Sequence, residues 1–93
     1  MGVFVELEDV KLYLRVEGSE EDTLIASFIF MAQEICEGVI RRPVSELAII
    51  PETLKQAVYY IVSQFYERRE EVEIEEMIKL VRYMLFDLRV ESW

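Results

Sequence analysis

Apolar residues recur at three- and four-residue steps along most of this chain, and four stretches read as amphipathic helices. Leu7, Val10 and Leu14 share one face, with acids between them, which predicts a first helix near residues 6–16 that closes around Val16 to Gly18. Ser19-Glu20-Glu21-Asp22 follows as a capping-box sequence, in which the serine oxygen accepts from the third N–H while Asp22 reaches back. A second helix is expected over about residues 20–39, burying Leu24, Ile25, Phe28, Ile29, Ala32, Ile35, Cys36 and Val39. Phe30 and Met31 fall partly outside that stripe and belong either to the wide face of a central helix or to a subunit contact. Gly38 and then Arg41-Arg42-Pro43 mark the end of the helix, and Pro43 to Ile50 reads as a loop.

Pro51 opens the third helix, near residues 51–69, because a first-turn proline lacks only an N–H that had no partner there. Leu54, Ala57, Val58, Ile61 and Phe65 line one side, while Tyr59, Tyr60, Val62 and Tyr66 give a second apolar surface. One side packs the monomer; the other calls for a partner. After the acid-rich joint Glu70 to Glu76, a fourth helix near 74–88 uses Ile74, Met77, Ile78, Val81, Leu85 and Leu88. Leu80, Tyr83, Met84 and Phe86 fill its other sides, so it is either internal or shared between chains. Four short helices can barely enclose an internal one, which favours sharing. The expectation is an all-α, roughly four-helix domain over residues 1–93, with Phe30, Met31, Tyr59, Tyr60, Tyr66, Tyr83 and Phe86 as candidate oligomer-interface residues.

Composition narrows the chemistry. With 93 residues, 53% of them hydrophobic, and only three glycines and two prolines, the chain suits one folded domain rather than a disordered segment. It has no histidine, which removes the commonest general base and the usual nucleophile systems. Cys36, the single cysteine, sits inside an apolar helical pattern and reads as a buried structural thiol of an intracellular protein. The three glycines are scattered, so no phosphate-cradling loop forms. Glu34 with Glu37, and Glu67 with Glu70 and Glu71, place carboxylates on one helix face, the kind of pair by which all-α nucleotide pyrophosphatases hold magnesium. The only E-x-x-D, Glu6 with Asp9, precedes these pairs instead of following them, so solvated helix faces are the better reading. No catalytic, cofactor-binding or metal-ligating residue is assigned.

Net charge is −9, with acids concentrated at Glu17 to Asp22 and Glu67 to Glu76, so the basic stripe of a duplex-binding surface is missing. Met1 to Asp9 turns acidic before an apolar segment develops, so no secretory signal is expected, and Glu6 stands where an acylation site needs Ser or Thr. The most apolar run, Leu24 to Ala32, falls well short of the roughly 20 residues that cross a bilayer, so no membrane partner is expected. Trp93 reads as either a frayed tail or an aromatic anchor for a neighbour.

The order of these segments resembles the small head-tail connector proteins of tailed bacteriophages and prophages, also labelled DNA-packaging or head-completion adaptors. Leu7 to Val16 is similar to that family's opening "LEEAKAHLRV", Glu21 to Ile25 to its "xDxLI", and Ile50 to Glu70 to its third-helix pattern "IPxxLKQAxxxxVxxxYExRE". Glu37 and Arg41 stand where its second helix usually ends. The C-terminal end departs from the pattern: the joint before the last helix is short and acidic, and Met84 to Arg89 matches the family's "LLxxYR" only loosely. The resemblance implies a structural virion protein made in the host cytoplasm. It would assemble as a homo-oligomeric ring between the portal and the tail-completion proteins, at the head-tail junction, with DNA as transient cargo in the bore. The rival from another class is an acidic helical binding protein whose carboxylates imitate a DNA backbone.

Overall fold

The computed structural model describes residues 5–88, apart from the side chain of Arg69. Four α-helices follow one another: α1 (Leu7–Leu14), α2 (Asp22–Ile40), α3 (Glu52–Arg68) and α4 (Ile74–Met84). Short 3₁₀ turns at Val44–Glu46, Arg69–Glu71 and Phe86–Leu88 punctuate the connections. The fold is all-α, and no strand occurs among the described residues.

The longest helices, α2 and α3, form the centre, and α1 and α4 each pack on both of them. Ile25, Ile29, Ala32, Cys36, Val39 and Ile40 from α2 meet Leu54, Ala57, Val58, Ile61 and Val62 from α3 in one buried cluster. Val10 of α1 closes one flank of that cluster, while Met77, Val81 and Leu85 close another. By length and composition α2 would suffice to cross a membrane, with a mean hydropathy of 1.5 over an 18-residue window. The shorter run Leu24 to Ala32 understates it, because the apolar character continues past Gln33 and Glu34 to Ile40. Here α2 packs against α1, α3 and α4, and 39% of that window is buried inside the bundle.

Several boundaries are set by contacts that the sequence pattern does not announce. Asp22 makes no capping-box bond; its carboxylate lies 2.7 Å from the Lys11 ammonium, and the N-cap residue Glu21 has no side-chain cap. Lys11 is therefore buried and ties α1 to the start of α2. The Asp22 carboxylate, hydrogen-bonded to the ammonium, raises the Lys11 pKa above its ordinary 10.5. The stability carried by the Lys11 ammonium is thus present below the ordinary lysine value and is lost as pH climbs through the raised one.

α2 runs through Gly38 to Ile40, one residue past the expected bound, and Arg41 closes it in the left-handed region at φ 65°. Glu37 Oε2 accepts from the Val44 N–H at 2.8 Å and clasps the following loop to the helix. The start of α3 differs by one residue from expectation: the Pro51 carbonyl accepts from the Leu54 and Lys55 N–H groups, and the helix begins at Glu52.

α1 also ends in a left-handed residue, Arg15 at φ 63°, with Val16 N–H donating to the Lys11 carbonyl and Arg15 N–H to that of Leu12. This is a Schellman closure, a position that glycine occupies without steric cost. Arg15→Gly is expected to stabilise the protein by about 1 kcal/mol, read as a rise in the urea midpoint with an unchanged slope.

Candidate functional site

A body only 19 Å across its thinnest direction holds about two layers of helix, so apolar residues on outward faces stay uncovered. Leu12, Tyr13, Phe30, Met31, Ile49, Ile74, Leu80, Tyr83 and Phe86 are the exposed large apolar side chains among the described residues. Monomeric surfaces expose such residues singly without meaning, but neighbouring ones mark contacts with other molecules.

Four of the seven sequence-predicted interface residues are among them. Tyr83, near the C-terminal end of α4, is 83% exposed, Phe86 in the turn after it 61%, and Phe30 and Met31 are exposed as neighbours on α2. The other three, Tyr59, Tyr60 and Tyr66, are half-buried and packed against the core. The second apolar surface of α3 is thus largely occupied within the protomer. Val62 is fully buried, the Tyr13 and Tyr59 rings lie 5.3 Å apart, and the Tyr66 hydroxyl donates to the Glu21 carboxylate. The α3 pattern overstates the free surface because α1 and the start of α2 pack back onto it, a long-range contact that helical spacing cannot show.

Conversely, Ile74, which its spacing assigns to the core, is exposed at the first turn of α4. Leu12, 76% exposed, and Tyr13 escape the sequence reading, although with Leu7, Val10 and Leu14 turned inward their positions leave only the outer face. The fourth helix is not internal: Met77, Val81 and Leu85 are buried on one side, while Lys79, Leu80, Arg82 and Tyr83 face solvent on the other.

Two charged margins accompany these apolar surfaces. On the α1 side, Asp9 and Glu52 lie close enough to Tyr59 to add to its desolvation in raising the phenol pKa above its usual value. On α4, Lys79 and Arg82 are exposed, and Lys79 pairs only loosely with Glu76 at 3.9 Å. An open trough of about 430 Å³ runs beside Glu76, Lys79, Leu80 and Tyr83. A smaller groove of about 260 Å³, lined by Ile35, Gly38, Val39, Arg41, Ile78 and Arg82, separates α4 from the end of α2. Both are open to solvent and lack the enclosure of a small-molecule site.

Among the described residues no group of three or more His, Cys, Asp or Glu is placed to hold a metal ion. Of the carboxylates considered for magnesium, Glu37 is committed to the Val44 amide and Glu34 points to solvent. Cys36 is fully buried, and burial, with a smaller push from Glu37, drives its thiol pKa up to about 12. At pH 8 the thiolate fraction is then only on the order of 10⁻⁴. Ellman's reagent is expected to label the folded protein more than ~1,000-fold slower than the urea-unfolded chain, a ratio measured by absorbance.

The family model described as phage gp6-like head-tail connector protein matches residues 4–87, nearly the whole chain. Comparison with the curated proteins and with the solved structures finds no match. The chain belongs to the phage head-tail connector family, whose members are structural proteins of the virion.

Proposed function

We propose that this connector-family chain acts as one subunit of a homo-oligomeric ring, seated between portal and tail, through whose bore the packaged DNA passes. Uncovered apolar residues on α1, α2 and α4 of a folded protomer support this reading, because copies of the same chain can cover them. A head-to-tail contact between unlike patches closes into a ring when its rotation permits. The net charge of −9 suits a conduit, since carboxylates facing the bore repel phosphates and let DNA slide without adhering. Portal and tail-completion proteins are then the hetero-partners, and the complex assembles in the host cytoplasm before it becomes the head-tail junction of the virion.

The same charge favours one other reading, an acidic protein that occupies a basic partner site as a DNA mimic. Deleting the coding sequence from its phage separates the two. A connector subunit leaves DNA-filled heads and free tails that fail to join, and plasmid-borne protein restores joining. Normal virions from the deletion would end the connector reading. Mass photometry with negative-stain imaging of the purified protein adds a direct check: annular particles accord with a ring, whereas a persistent monomer at high concentration counts against it.

A further inference from the structure

Two exposed surfaces carry apolar residues inside matching charge patterns. On α1, Leu12 and Tyr13 lie between the acids Glu8 and Asp9 toward the N-terminus and Arg15 at the C-terminal end, and the Tyr13 ring continues onto Tyr59 of α3. On α4, Leu80 lies between Glu75 and Glu76 toward the N-terminus and Arg82 toward the C-terminus, with Lys79 beside it. Both helices therefore run from anion to cation. At a rise of about 1.5 Å per residue, Asp9 to Arg15 and Glu76 to Arg82 each span about 9 Å.

We infer that neighbouring copies meet through these unlike surfaces, with α4 of one copy lying antiparallel on α1 of the next, so that Leu80 and Tyr83 cover the ledge of Leu12, Tyr13 and Tyr59. In the antiparallel register that sets Leu80 beside Leu12, Arg82 comes level with Asp9 and Glu76 with Arg15, while Lys79, level with Leu12, reaches along α1 toward Asp9. Apolar residues fill the centre and charged residues form a rim, the arrangement of a specific protein–protein contact. Asp9, one of the carboxylates that help hold the proton on Tyr59, becomes the partner of the α4 cations.

A two-fold contact of α4 with itself would instead set Lys79 against Lys79 at the axis. It would leave the Leu12 ledge open and stop at two copies. The unlike pairing leaves one free surface of each kind at every step, so copies keep adding, and the ring closes when the rotation between neighbours divides a full turn. This inference rests on the connector reading and names the contact by which the ring grows.

Cysteine pairs test the register, and native Cys36 stays silent because it is buried. Leu12→Cys and Leu80→Cys chains, mixed and oxidised gently at assembly concentration, are expected to form covalent dimers of one of each. A chain carrying both substitutions is expected to give a ladder of multimers on denaturing gels. Each single variant alone is expected to give no dimer. Dimers from Leu80→Cys alone would overturn the inference in favour of the two-fold contact.

Charge reversal supplies a check that does not depend on cysteine geometry. Lys79→Glu with Arg82→Glu is expected to weaken assembly at least ~10-fold, and Glu8→Lys with Asp9→Lys on the same chain restores it. Full assembly by the α4 reversal would overturn the pairing. Mass photometry of the same samples keeps the two levels apart. Assemblies that form without the cross-link overturn only the α1–α4 contact, whereas no assembly in solution or on portal-bearing heads overturns the connector reading beneath it.

Discussion

Ile61→Ala is expected to remove about 3–4 kcal/mol of stability, as truncation of a fully buried core isoleucine does. Ile61 is fully buried at the middle of α3, inside the cluster that joins α3 to α2. Shortening it forfeits the transfer free energy of three carbons. It also leaves a cavity that two helices, pinned by Ile25, Ile29 and Ile40 on one side and Leu54 and Val58 on the other, cannot collapse to fill. A domain of this size has roughly 5–10 kcal/mol in total, so a third or more of the folded-state stability disappears. Urea unfolding followed by helical circular dichroism should show the midpoint fall by about 2–3 M at constant slope. Ile49→Ala is the matched control. Ile49 is 81% exposed in the loop before α3, and its truncation should move stability by less than ~0.5 kcal/mol. Equal losses from the two would mean that the α2–α3 cluster is not the centre of the fold.

The contrast between those two isoleucines also shows what can be read from residue order. Ile61 declares itself through its spacing with Leu54, Ala57, Val58 and Phe65, because the helical repeat converts a one-dimensional pattern into one buried stripe. All four helices, and the buried residues Met77, Val81 and Leu85 of the last, follow from that rule. Helix ends are less legible. Arg15 and Arg41 close α1 and α2 in the left-handed region, a position that Gly or Asn usually announces, whereas Gly18 and Gly38 draw attention to the wrong residues. Asp22 looks like a cap and is instead half of an ion pair with Lys11, since a carboxylate next to a buried ammonium lowers the cost of burying both charges.

The candidate interface is legible where local spacing governs it and illegible where tertiary packing does. Tyr83 on α4 and Phe86 in the turn after it are exposed, as their spacing from the buried stripe indicates. Tyr59, Tyr60 and Tyr66 occupy similar positions on α3, but α1 and the first turn of α2 return to half-cover them. The spacing of apolar residues says which side of a helix seeks apolar company. It does not say whether that company comes from the same chain.

This distinction sets the second large effect. Tyr83→Ala with Phe86→Ala is expected to weaken self-association by at least ~30-fold for each residue that sits at a central contact, about 2 kcal/mol apiece. Stability of the protomer should change by less than ~0.5 kcal/mol, because both side chains already face solvent. Tyr60→Ala should behave the opposite way. Its ring packs on the core, so the substitution should lower the urea midpoint by an amount equivalent to about 1–2 kcal/mol whatever it does to assembly. Sedimentation velocity over a concentration series, paired with urea unfolding of the same samples, resolves the two axes. If Tyr83 and Phe86 leave the sedimentation profile untouched while Phe30→Ala with Met31→Ala collapses it, the outer stripe of α2 rather than α4 carries the subunit contact. The physical reason would be that a longer helix offers the neighbour more continuous apolar surface than the short α4 can.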